Sequence, residues 1–440
     1  MINLLIILLY AIGNQFEISL IGSMSISDIG VLLFFIYLPT NRKLVDKLIK
    51  DKDIIHISLL YFALFIAQLV SETILGNTFA NCAKSVAVTI LSFIKFIFLW
   101  ILVTRKEGNI KWLLLFTCIA TTLFRDVERV ETAGITDLEN MSFMKFYIAP
   151  LVSNCIVLFT LLFNCRKYYL LFIVGGITII SMGARSSGLI LLLTGLIAIF
   201  ILSLKEINKF ILITRGIFLT LSCYVLYVCY VNAVLSGIIT TGNSGQTKLQ
   251  DNPYNPIEAL FMGRSESFIA TKAFTDSPWI GQGAWANDVK YKYHILMARA
   301  RGDYFDKNKM AANVIPTHSV ILGYGVNNGI FALVFISIII LYFCYKGGSS
   351  LHRNNPYIYL VIFSIVSLWW NGLFSPVSHF RYGFPAYFVY CFFSYKWMLA
   401  QKRKQKIALL KKRKDKEMLH SSITVEDKKE SNYLLTYSES

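Results

Sequence analysis

Four basic residues stand where this sequence could do chemistry. Arg185 lies in the short turn "SMGARSSG", Arg264 opens "GRSESFIATKAFTDSPWIGQG", His318 stands at the threshold of "PTHSVILGYGVNNG", and Arg381 lies in "SHFRYGFP". Guanidinium groups grip phosphate oxygens through a planar fork, and an imidazole can take the proton of a hydroxyl near neutral pH. Such a set suits a reaction in which negative charge grows on a departing anion while a hydroxyl is deprotonated. Blander readings compete at each position. Arg185 and Arg381 could anchor helices among lipid headgroups. Arg264 could pair with Glu266 or Glu258, and His318 could be a histidine at a capped helix end and nothing more. Glu17, Asp28 and Glu266 are the reserve candidates for a base.

The elements that must position these residues are apolar. The chain has 440 residues, of which 55% are hydrophobic and only 16% charged, and its mean hydropathy is +0.55. A water-soluble domain of this length does not have such a balance, so the expectation is an all-α, polytopic integral membrane protein. The net charge of +17 gathers between the apolar runs, as the positive-inside rule requires, and calls for no nucleic acid. The cysteines lie in or beside apolar runs without metal-type spacing.

At about 20 residues per span, the runs near 3–22, 25–40, 54–72, 82–104, 111–125, 146–164, 168–184, 187–204, 210–235, 318–345, 357–375 and 383–400 give about twelve transmembrane helices. Asn14, Gln15 and Glu17 weaken the first. Four regions result: residues 1–235 with nine spans, a large loop at 236–317, three spans at 318–400 and a basic tail at 401–440, polar and disordered from Ser421 onward. Basic connections such as "NRKLVDKLIKDKD" and "TRKEGNIK" place both termini in the cytoplasm, with 126–145 and 236–317 outside. The aromatics of the large loop, and the spacing of Phe261, Ile269 and Ala273, argue for packed helical pieces within it.

Under this topology the helices that start at Ser186, His318 and Gly383 all run inward. Their N-termini, with unpaired N–H groups and positive partial charge, face outward and suit an anion such as a diphosphate. Pro316 marks the start of the third-last span, Thr317 is its candidate N-cap, and Gly325 and Gly329 allow a close helix approach. Lys84 snorkels, whereas Lys95 lies deep and calls for a partner in the bundle. Asp51 to Asp53 read as a surface run, and Lys272, Lys290, Lys292, Arg299 and Arg301 as loop charges. With no zinc pattern, phosphate-cradling glycine loop or nucleophile elbow, the expectation is metal-independent chemistry without a cofactor.

The order of apolar spans, "SMGARSSGLILLL", the long loop with "GRSESFIATKAFTDSPWIGQG" and then "THSVILGYGVNNGIFALV" resembles the bacterial O-antigen polymerase and O-antigen ligase superfamily. The resemblance covers the whole hydropathy plan and is most specific over 181–192 and 262–335; "GSMSISDIGVLLFF" is similar to the family's early segment. The ligase pattern has His, then Asn, Ser or Gln, nine residues, Gly, two residues, and Gly, Thr or Tyr. His318, Ser319 and Gly329 fit it, and Ala332 departs. The resemblance implies transfer of a glycan from an undecaprenyl-diphosphate-linked oligosaccharide at the periplasmic face of the bacterial inner membrane. The acceptor is a second lipid-linked repeat unit for a polymerase, which the departure at Ala332 favours, or the lipid A core for a ligase. It further implies Arg264 and Arg185 on the diphosphate with Arg381 in support, His318 as base or diphosphate ligand, and a chain-length regulator and a flippase as partners. A transporter or flippase is the competing class, but the halves of the chain show no repeat. A non-catalytic membrane scaffold is a third reading.

The topology is testable directly. Reporters fused after Gln250 or Lys307 are expected to report an outer location, and those after Lys50, Lys205 and Lys404 a cytoplasmic one. A cytoplasmic signal at Lys307 would remove the outer site.

Overall fold

A computed structural model describes residues 2–20, 22–124, 144–163, 167–203, 209–238, 252–256, 264–301, 304–305, 307 and 313–437. Most of the 126–145 segment, Glu258 and Phe261 lie outside the described residues. The chain opens with α1 (Ile2–Gly13), a two-stranded antiparallel hairpin of β1 (Glu17–Leu20) and β2 (Gly22–Ser25), and α2 (Ile26–Tyr37). This corrects the expected first span at 3–22. The polar Asn14, Gln15 and Glu17 interrupt the apolar run, and the hairpin pairs the backbone there in the register Glu17 opposite Ser25. A capping box then starts α2: Ser25 Oγ accepts from the N–H of Asp28 at 3.2 Å, and Asp28 Oδ2 accepts from the N–H of Ser25 at 2.8 Å.

The amphipathic α3 (Arg42–Ile49) leads into α4 (Lys52–Ile74), α5 (Phe79–Arg105) and α6 (Asn109–Phe124), followed by α7 (Ala149–Leu162), α8 (Tyr169–Ser181), α9 (Arg185–Leu202) and α10 (Lys209–Leu235). The described part of the large loop holds α11 (Ser265–Asp276) and α12 (Lys292–Arg301), so it is helical in pieces. The chain closes with α13 (Val320–Gly348), α14 (Ile358–Phe374), the short α15 (His379–Tyr382) and α16 (Phe384–Tyr437). The fold of the described residues is therefore all-α apart from one small hairpin. Among the described residues, five helices are long and apolar enough to cross a membrane: α4, α5, α9, α13 and Gly216–Leu235 within α10. Several other apolar runs carry shorter helices, from the 12 residues of α1 to the 17 of α14. At 1.5 Å per residue these fall short of a hydrocarbon layer about 30 Å thick. The tail from Ser421, expected to be disordered, continues α16 to Tyr437.

α5 runs through the core, with Phe96, Leu99, Ile101 and Val103 all essentially inaccessible. Beside it, α8 and α9 form a tight helical hairpin that carries Arg185 at its turn. Gly176 and Gly188 permit this, since a Cβ on Gly176 would lie 2.7 Å from the backbone N of Leu192, and one on Gly188 would lie 2.7 Å from the carbonyl O of Gly176.

The decisive feature is a break in α13. At Gly329 the backbone leaves the helix (φ 77°, ψ −168°), and the turn 277–284 fills the opening. The N–H of Ile330 and the carbonyl of Val326, which would pair in an unbroken helix, are both diverted: Ile330 donates to Pro278 O at 2.7 Å, and Val326 O accepts from the N–H of Gln282 at 2.6 Å. Asn327 O likewise accepts from the N–H of Gly283 at 2.9 Å. Gly329 thus serves a broken helix as well as the close approach its spacing suggests.

Any side chain at 329 meets both the left-handed backbone and the Trp279 carbonyl. Gly329→Ala is expected to cost at least about 1–2 kcal/mol from backbone strain alone, read as a lower unfolding temperature of the detergent-purified protein. Gly30→Ala, at a helical position with open space around it, should leave that temperature unchanged or raise it. Equal stability of the two variants would overturn this account of the break.

Candidate functional site

Three helix starts and one helix end converge around Arg264. Arg264 is the residue before α11, where no side chain caps the helix, and its Nη2 donates to Ser186 Oγ at 2.6 Å. Ser186 belongs to the first turn of α9, whose opening residue is Arg185 and whose N-cap position, Ala184, offers no side-chain cap either. The Arg264 guanidinium also lies 5.6 Å from the ring centre of Trp370 and 5.4 Å from that of Phe374, both near the end of α14. Arg185 lies 5.9 Å from the ring of Tyr230.

The start of α13 joins the same cluster. Ser319 is its N-cap, accepting from the N–H of Leu322 at 3.1 Å and donating to Gly372 O of α14 at 3.0 Å. Ser267 Oγ makes long hydrogen bonds to Leu373 O at 3.3 Å and to His318 O at 3.5 Å. This corrects the expected cap: Ser319 caps the helix rather than Thr317, and exposed His318 precedes the cap instead of lying in the first turn. The hydroxyl of Ser319 has the extended backbone from which it reaches the third residue ahead.

Electrostatics gives this cluster a preference. A cation at a helix N-terminus opposes the macrodipole, yet Arg264 and Arg185 occupy two such starts with no capping side chain. Both arginines are half-buried, and burial pushes the Arg264 guanidinium below its ordinary pKa, against the opposing pull of Glu266. The aromatic faces return part of this cost, about 0.5–2 kcal/mol per contact. An anion between the two guanidinium groups at these helix starts would relieve the rest.

Arg381 belongs to a second node. It lies in α15, is buried, and stacks 4.3 Å from the ring centre of Tyr382 while donating to that residue's hydroxyl. The same ring lies 5.3 Å from Lys95 Nζ, which pairs with Asp28 Oδ1 at 2.6 Å; neither Lys95 nor Asp28 is accessible. The deep lysine of α5 thus has the bundle partner that its position demands, and Asp28, a reserve base in the sequence, both caps α2 and neutralises Lys95. The competing reading of Arg381 as an anchor among lipid headgroups gives way to a buried arginine, because α15 packs against α5.

Glu72 is the group that sequence reasoning missed. Its Oε1 accepts from Asn328 Nδ2 at 2.8 Å and from the N–H of Ala284 at 3.1 Å, and its Oε2 accepts from Asn77 Nδ2 at 2.7 Å. Beside it, Ser71 Oγ donates to Ile280 O at 2.6 Å. The carboxylate therefore ties α4 to the turn that fills the break in α13. A lone carboxylate in an apolar run was the available signal. Elsewhere in the loop, Lys272 and Lys292 hold Asp276 at 2.7 and 2.6 Å, and these lysines keep its carboxyl well below the ordinary range. Lys292 joins α12 to α11 through this aspartate, while Lys272 pairs with it within α11, so neither is a simple loop charge. Asp288 braces α12 by accepting from the N–H groups of Tyr293 and His294 and from His294 Nδ1 at 2.7 Å.

The Lys95–Asp28 pair gives a thermodynamic test. Lys95→Met alone leaves a buried carboxylate uncompensated, at a cost of about 3–5 kcal/mol, whereas Lys95→Met with Asp28→Leu is expected to lose much less. Thermal unfolding of the purified variants measures the difference. A double variant as unstable as the single one would show that the pair is not coupled in this way.

No protein-family model matches the chain, and the comparison with curated proteins gives no match.

Proposed function

We propose that the chain is a membrane-embedded, metal-independent glycosyltransferase that acts as an O-antigen polymerase. It would transfer the growing glycan from undecaprenyl diphosphate onto a hydroxyl of a second lipid-linked repeat unit. The observation that carries the reading is the reach of Arg264 across to Ser186 beside Arg185, which puts two guanidinium groups at two uncapped helix starts, next to the helix that His318 precedes. As the acceptor oxygen bonds to the anomeric carbon, its proton passes to His318. The bond from that carbon to the diphosphate oxygen breaks, and its electron pair stays on the diphosphate. Arg185 and Arg264 hold the charge that develops there, an interaction stronger in the transition state than in the ground state. Arg381 contributes from the Lys95 node and carries less of the effect.

In this reading the apolar helices, five of which among the described residues are long enough to cross alone, lie in the bacterial inner membrane, with the Arg264 cluster toward the periplasm and both termini in the cytoplasm. The far end of the bundle supports the orientation. There Lys346 and Lys396 pair with Asp53, at 2.7 and 2.6 Å, and α16 leaves with its basic run. A chain-length regulator and a flippase are the partners such a polymerase would work beside. Transfer to the lipid A core is the second reading, supported by His318, Ser319 and Gly329 in the ligase pattern. Gly329 has a separate reason in the break of α13, which weakens that support.

The test is purified protein with lipid-linked repeat alone. Arg264→Ala is expected to lower turnover by about 10²–10³-fold, and Arg264→Lys to lose much of it because the fork is gone. Arg381→Ala should act more mildly, and His318→Ala should lower kcat more than donor affinity. Wild-type chain growth by both Arg264→Ala and His318→Ala would overturn the assignment, and growth that depends on lipid A core would replace it with the ligase.

A further inference from the structure

A groove of about 690 Å³ opens between the end of α2, α3, the first half of α4 and the middle of α5. Its floor is apolar and buried, with Leu38, Ile94 and Ile97 among the lining residues, whereas Ile49, Leu59 and Phe62 on its rim are 59–62% exposed. Its few polar neighbours are already engaged: Tyr61 shares a hydrogen bond with Ser92 at 3.0 Å, and Thr89 bonds Gln68 at 2.6 Å and Tyr324 at 2.9 Å. A peptide laid in such a groove would leave its backbone groups unpaired, but a hydrocarbon chain has none to pair.

Charge decides what that hydrocarbon carries. α3 has no buried residue; its Val45, Leu48 and Ile49 line the groove, while Arg42, Lys43, Lys47 and the following Lys50 are exposed. Asp46 is the sole acid on that helix. This roof lies at the basic end of the bundle, since Asp51 at its margin pairs with Lys396 at 2.7 Å. An amphipathic helix with a basic outer face over an apolar slot matches a lipid whose chains lie below and whose phosphate lies above. We propose that this groove is a binding site for one anionic phospholipid, with its acyl chains between α4 and α5 and its phosphate against Lys43 and Lys47. The site lies toward the end of α4 and α13 remote from Arg264, so it is separate from the transfer reaction and does not rest on it.

The experiment uses full-length protein, purified in detergent and stripped of lipid, with dioleoylphosphatidylglycerol or dioleoylphosphatidylcholine added at equal concentration. Phosphatidylglycerol is expected to raise the unfolding midpoint by several degrees and to be retained at about one molecule per chain by native mass spectrometry. Phosphatidylcholine should do neither. The exposed pair Lys43→Gln with Lys47→Gln should reduce the preference between the two lipids by about tenfold, and Leu59→Trp, which fills the rim, should abolish retention of both. Equal effects of the two lipids would mean annular lipid only and would overturn the proposal. So would an unchanged preference in the lysine variant, or a stabilisation that glycerol phosphate alone reproduces. Should Leu59→Trp fail to fold, the lysine variant carries the decision.

Discussion

A helix in apolar surroundings cannot leave backbone groups unpaired, and α13 obeys this rule at the one place where it opens. The N–H of Ile330 and the carbonyl of Val326 are lost to the helix but gained by the turn 277–284. The cost of bringing that turn about nine residues down the length of α13, roughly 14 Å at 1.5 Å per residue, is met by side chains placed nowhere near it in the chain. Glu72 and Asn77 come from α4 and the turn after it, Asn328 from the break itself. The described part of the large loop is therefore anchored inside the bundle, and α11, which Arg264 precedes, runs directly into the anchored turn.

The same anchoring explains why the Arg264 cluster forms at all. Arg264 is far in sequence from Ser186, Trp370 and Phe374, and only the packing of α11 against α13, and of α13 and α9 against α14, brings them within reach. The glycines of the α8–α9 hairpin fix where Ser186 lies, and Ser319 fixes where α13 begins. Each constraint is local, but together they leave two arginines at helix starts that lack a cap. A cation at a helix start opposes the macrodipole, so this is the arrangement on which the proposed anion site rests.

Charge is divided between the two ends of the bundle and its interior. At one end, Asp51 and Asp53 pair with Lys346 and Lys396 and so join α4, α13 and α16. These aspartates, which read as a surface run, are instead the latch between three helices. In the interior, Lys95 and Asp28 neutralise each other, and Arg381 and Tyr382 close over them. Buried charges without such partners would cost several kcal/mol each, which is why a deep lysine had to find an aspartate.

The sequence by itself determined the apolar helical class, the positions of the apolar runs, the helical nature of part of the large loop and the four basic residues worth following. These follow from local quantities: hydropathy over a window, charge between windows, and a guanidinium or imidazole at a run's edge. Only tertiary structure decided that the first run breaks into a short helix and a hairpin, that Ser319 is the cap, and that Arg264 and Ser186 meet while Arg381 joins Lys95. It also decided the role of Glu72, because a carboxylate in an apolar helix announces a partner without naming it. The partners here, Asn77, Ala284 and Asn328, lie 5 to 256 residues away. Periodicity and propensity act over a few turns of chain, whereas hydrogen bonds that repair a broken helix must be supplied by whatever the packing brings alongside.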